Sequence, residues 1–130
     1  MPEAEWDGTA LQALLANIQP TRVQFGTQAT TNVLAVIGAA IENTVPFMVE
    51  AFISLNNMVV GDAFLVLEEI RDQNDATYRE YVRNTYSNVQ AQPMIRITPK
   101  RCQGWRVSIQ RTAGGDRNVT FQFFTDKGAA

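Results

Sequence analysis

Few residues of this chain are equipped for chemistry, and the most versatile type is missing. The sequence contains no histidine. That removes the commonest general base, imidazole metal ligands, and the Ser-His and Cys-His nucleophilic pairs. Carboxylates remain. Glu50, Glu68 and Glu80 fall on predicted strands, and acids brought together across a sheet would supply the pair that glycoside hydrolysis requires. Nothing in their spacing selects them, so solvated charges on strand faces are the plainer expectation. Cys102 has Lys100, Arg101 and Arg106 nearby, and cations lower a thiol's pKa. An inert, partly buried thiol is the competing reading. Asp72, Asn74 and Asp75 place oxygen ligands in one turn, but the fuller calcium-loop spacing with its distal glutamate is missing. With no glycine-rich phosphate loop and no zinc-type cysteine cluster, no cofactor and no metal are expected.

Recognition groups are better represented than reactive ones. Arg96, Lys100, Arg101 and Arg106 surround Trp105, and a basic cluster with an aromatic suits phosphates and stacked bases. Against nucleic acid stand the acidic pI of about 5.0 and the alternation of Trp105 with Val107 and Ile109, which points the indole inward. Tyr78, Tyr81 and Tyr86, if exposed, would form a stacking platform for a carbohydrate or another small ligand.

The elements that must position these groups read as strands. From Gly104 to Thr125, Trp105, Val107 and Ile109 alternate with polar residues, as do Val119, Phe121 and Phe123. That period of two, broken by Ala113-Gly114-Gly115-Asp116, predicts an antiparallel hairpin with one apolar face. A two-stranded ribbon cannot cover such a face, so a second layer is required. Phe47, Val49, Ala51, Ile53 and Leu55 mark a strand over Thr44 to Leu55, with Pro46 near its start. Ala63 to Arg71 is apolar on both faces, which predicts a central strand, and Thr77 to Tyr86 would pair with it. Thr21 to Thr30, with Val23 and Phe25 on one face, and Val33 to Ile41 read as further strands; Pro93 to Thr98 reads as another, ended by Pro99.

Residues 7–19 carry the only convincing helical pattern, although Tyr78, Tyr81 and Val82 would also suit a helix face and Val33 to Ile41 fits a buried helix as well as a strand by periodicity alone. Leu11, Leu14, Leu15 and Ile18 fall at i, i+3, i+4 and i+7, Asp7 or Thr9 can cap the start, and Pro20 stops the helix. So short a helix is marginal alone. It either closes its own domain or acts as an arm, led by Trp6, against a neighbouring subunit. The expected fold is therefore all-β: an antiparallel β-sandwich of jelly-roll type with about eight strands over 21–130, preceded by an arm or short helix over 1–20.

Bulk properties agree with one soluble domain. The chain has 130 residues, 45% hydrophobic, 18% charged, and a single cysteine, so no intrachain disulfide contributes. The acidic start, Met1 to Asp7, is unlike a secretory signal, and the apolar run Val33 to Ile41 is far short of the roughly 20 residues a membrane helix needs. Asn118-Val119-Thr120 matches a glycosylation acceptor but reads as strand. Charge is lopsided: residues 1–70 hold eight acids and one base, residues 71–130 ten bases and five acids. Folding is expected to interleave the halves; any asymmetry left on the surface would favour contact between copies.

The combination of Asn56-Asn57-Met58-Val59-Val60-Gly61-Asp62, Tyr78-Arg79-Glu80-Tyr81 and Trp105 to Gly114 resembles small β-sandwich proteins encoded beside the structural genes of tailed viruses. The likeness covers roughly residues 44–124. Such proteins resemble capsid decoration or minor capsid proteins. The resemblance implies a non-enzymatic component of the virion, made in the host cytoplasm, that binds its own copies, commonly as trimers, and a major capsid protein. It transfers no functional residue. The contact expected to be made with a subunit or shell is the arm: Trp6, Leu11, Leu14, Leu15 and Ile18.

Overall fold

A computed structural model describes residues 21–72 and 76–126. The arm and its predicted helix lie outside the described residues. Within them all regular structure is β: β1 (Thr21–Ala29), β2 (Ala35–Val36), β3 (Ile41–Ser54), β4 (Ala63–Arg71), β5 (Arg79–Ser87), β6 (Met94–Ala113) and β7 (Asn118–Thr125). Seven strands stand where about eight were expected. They form one antiparallel sheet in the order β1-β7-β3-β6-β4-β5, with β2 beside β6.

The alternating strands bury the faces their pattern dictates. Phe47, Val49, Ala51 and Ile53 of β3 are inside, as are Trp105, Val107 and Ile109 of β6 and Val119, Phe121 and Phe123 of β7. β4 lies between β6 and β5, which accounts for its two apolar faces, and the β4–β5 pairing runs from Ala63↔Ser87 to Ile70↔Arg79 as expected.

The last hairpin is a correction. β6 and β7 are consecutive in the chain but do not pair, because β3 lies between them, bonded to β6 by one edge and to β7 by the other. The apolar patch still forms, by a different route: the sheet curls until the rings of Trp105 and Phe123 meet edge to face, centroids 4.8 Å apart. The reversal that permits this is anchored at Asp62. Its carboxylate accepts from Arg117 Nε at 2.8 Å, from the Val59 N–H at 2.9 Å and from the Gly115 N–H at 3.0 Å, and the residue is only 2% exposed. The Thr30 N–H then donates to the Arg117 carbonyl at 2.8 Å, and the Arg117 N–H donates to the Thr30 hydroxyl oxygen at 2.9 Å. Gly114 takes φ of 77°, where a side chain would be strained. The link between β6 and β7 is thus an arch tied to two distant loops.

The arch responds to acid. The Arg117 guanidinium and the two N–H groups hold the Asp62 carboxyl down at about 2, against its ordinary 3.8. A depressed folded-state pKa contributes stability that is complete above the unfolded value and is lost as pH falls through the folded one. Urea midpoints followed from pH 5 to pH 2 should therefore decline. In Asp62→Asn they should begin lower at neutral pH and decline less steeply.

Three other expectations change. Pro93 to Thr98 does not end at Pro99: β6 continues for 20 residues to Ala113. Pro99 is accommodated because the β3–β6 register shifts between Val49 and Ala51, opposite it, and a bulge does not require the missing N–H. Val33 to Ile41 is not one strand: Ala35–Val36 pair with β6 as β2, Gly38 breaks the run at φ of 62°, and Ile41 already belongs to β3, opposite Trp105 of β6. Two β1 side chains take over the ladder's role there. Gln28 bonds the Val36 carbonyl and the Gly38 N–H at 3.0 and 2.9 Å, and Gln24 bonds the Ala39 carbonyl and N–H at 3.2 and 2.9 Å. Finally, Val23 is a bulge residue and Phe25 faces outward, 63% exposed. The inward positions of β1 belong to Gln24, Gly26 and Gln28, because the clamp on residues 36–39 needs amides there.

Candidate functional site

The opposite charges interleave completely over the described part of the first half. Glu42 pairs with Arg71, Glu50 with Arg96, Asp62 with Arg117, Glu68 with Lys100 and Glu69 with Arg106. Each acid between residues 21 and 70 is bound to a base from the second half.

That arrangement decides the fate of the candidate carboxylates. Glu50 is held by Arg96, Glu80 by Arg83 and Glu68 by Lys100, so each is committed to a cation of its own rather than facing another acid. Glu68 is the most enclosed, 5% exposed, and also accepts the Trp105 indole N–H at 2.7 Å. Trp105 is fully buried, which removes the stacking group of the proposed basic cluster. Arg96, Lys100 and Arg106 of that cluster are the cations just paired.

Cys102 is buried, and burial pushes its thiol up to about 11 despite nearby Lys100. Of the two readings, the structure supports the partly buried thiol. Iodoacetamide at pH 7.5 should label the native protein at least tenfold more slowly than the urea-unfolded chain; equal rates would contradict the burial. Of the calcium-like turn, Asn74 and Asp75 lie outside the described residues. Among the described residues no three His, Cys, Asp or Glu side chains cluster as metal ligands.

The three tyrosines have separate roles. Tyr78 donates its hydroxyl to Glu42 at 2.8 Å and lies under the Arg106 guanidinium at 4.2 Å; burial and Glu42 raise its pKa. Tyr86 lines a cleft of about 180 Å³ between β5 and the start of β6, with Glu68 of β4 also in its wall and Asn84 and Arg96 at its sides. Tyr81 is 52% exposed, its ring 5.0 Å from Lys100 Nζ. They therefore form no common platform, and the cleft is small beside the roughly 300 Å³ at which small-molecule pockets begin.

A larger feature escaped the sequence reading: the outer face of β1-β7-β3-β6. Cross-strand partners share a face, so Phe25, Gln122, Phe52 and Arg96 form one outward row, and Arg22, Phe124 and Glu50 the next. Phe52 and Phe124 meet edge to face at 6.0 Å, and Arg22 caps the Phe25 ring at 4.0 Å. Met94, 54% exposed, continues the patch past Phe52. The signal was available in Phe52 and Phe124, which fall out of phase with the buried residues of their strands, but Phe25 was masked by the bulge at Val23.

Fold and site together define an all-β antiparallel domain in which each acid between residues 21 and 70 is paired with a base and the outer face of β1-β7-β3-β6 is aromatic and carries Arg22, Arg96 and Glu50. No protein-family model, curated protein or solved structure matches the chain.

Proposed function

We propose that this protein is a non-enzymatic structural component of a virion, a capsid decoration or minor capsid protein that binds a shell and its own copies. In this reading the curled sheet is a sandwich of jelly-roll type. The observation that carries it is the outer face: three phenylalanines and a methionine beside two arginines, on a molecule whose candidate acids Glu50, Glu68 and Glu80 are each bound to a cation. Such a face is costly to leave in water and is of the aromatic and arginine composition that interfaces favour. Light scattering across a concentration series tests self-association, and electron micrographs of undecorated shells mixed with the protein test attachment. Oligomers and ordered surface density are expected. A monomer at every concentration that leaves shells bare would overturn the proposal.

A second reading, a carbohydrate- or small-ligand-binding module, draws on exposed Tyr81 and on Tyr86 in the wall of the small cleft. A glycan array separates the two: a stable monomer with a defined glycan preference favours the module.

A further inference from the structure

We infer that the outer face of β1-β7-β3-β6 is the receptor for residues 3–18 of a neighbouring copy. The inference rests on the self-associating role proposed above and specifies which surfaces meet.

Four observations converge on this occupant. First, the stripe Leu11, Leu14, Leu15 and Ile18, led by Trp6, is apolar and belongs to a segment of 20 residues preceding β1. A helix over 7–19 would be about 20 Å long at 1.5 Å per residue. Four strands span about 14 Å at their usual spacing, so the face with its rim matches the stripe in length. Second, the apolar surface to be covered is aromatic: Phe25 is exposed, while Phe52 and Phe124 are half-buried with nothing over them among the described residues.

Third, the charges are complementary. Residues 1–20 carry Glu3, Glu5 and Asp7 and no base. They are the acids of the first half that remain after Glu42, Glu50, Asp62, Glu68 and Glu69 have been matched to bases. The face offers Arg22 and exposed Arg101, which is opposite Met48 and so on the same side as Glu50 and Phe52; its third arginine, Arg96, is occupied by Glu50. Asp126, nearby, accepts the Met48 N–H at 2.7 Å.

Fourth, the tether is short: only Gln19 and Pro20 separate Ile18 from Thr21, the first residue of β1. The self-association proposed above then places the stripe on the equivalent sheet of the next copy, the exchange of like elements by which protomers join at little cost.

The test uses the full chain with a photo-crosslinking phenylalanine analogue at position 25, which is exposed enough to tolerate it. Isotopically heavy and light protein are unfolded together in urea, refolded as a mixture, irradiated and digested. The expected products join position 25 to peptides from residues 3–18, with heavy–light pairs at the statistical share, and their yield falls severalfold from 50 mM to 1 M salt as the acid–arginine attraction is screened. Products confined to heavy–heavy and light–light pairs would place the arm on its own subunit and overturn the inference. An oligomer by light scattering without arm crosslinks overturns this inference alone. A protein that stays monomeric at every concentration overturns the self-association on which it rests.

Discussion

Lys100→Met should be among the most damaging single substitutions in the protein, lowering stability by about 3–5 kcal/mol, the usual cost of leaving one member of a buried ion pair alone. The side chains of Lys100 and Glu68 are 10% and 6% exposed, and Glu68 also accepts the Trp105 N–H. Removing the ammonium leaves an enclosed carboxylate with one neutral donor. The companion change makes the cause visible: adding Glu68→Gln removes the charge but keeps an acceptor for the indole, and should restore most of the loss. Urea unfolding followed by tryptophan fluorescence measures both. A double variant as unstable as the single one would show that the lost packing of the lysine stem, not the stranded charge, is responsible.

Gly114→Ala should cost about 2–5 kcal/mol, from about 1–2 for a side chain at left-handed φ and about 1–3 for overpacking. The added carbon would be 2.3 Å from Asp62 Oδ1, 2.7 Å from the Asp62 Cα and 2.8 Å from the Gly61 carbonyl oxygen, so the collision includes backbone that cannot rotate aside. Gly61 is the control. It too has positive φ, 95°, but nothing lies within 4 Å of its missing Cβ, so Gly61→Ala should show the conformational part alone. Similar midpoints for the two variants would mean that the arch yields and Asp62 does not anchor it rigidly.

What the sequence discloses here is local. Alternation located the buried residues of β3, β6 and β7 because the period of two depends only on neighbours along the chain. Which edges join is a long-range matter, and there the strongest local signal misled: Gly114 does turn the chain, but Asp62 and Thr30, more than 50 residues away, bend that turn into an arch. Pro99 looked like a terminus since nothing nearby announces a bulge, and Val33 to Ile41 looked like a strand because the amides of Gln24 and Gln28 that hold it are remote. Charge was the exception. The imbalance of the two halves foretold that they would interleave, and the ion pairs of Glu42, Glu50, Asp62, Glu68 and Glu69 show it, although no spacing rule could have named their partners. The aromatic face was legible only in part: Phe52 and Phe124 are out of phase with their strands' buried residues, but the face exists only once β1, β7, β3 and β6 lie side by side.

The cross-half pairing of charge also bears on how the protein is made. Residues 1–70 leave the ribosome before residues 71–130, and that stretch carries seven more negative than positive charges. Self-repulsion resists early collapse of its greasy segments, in the period when a nascent β-chain is most prone to stick to others. The neutralising cations arrive with the remainder of the message, so synthesis itself sets the moment at which compaction becomes favourable.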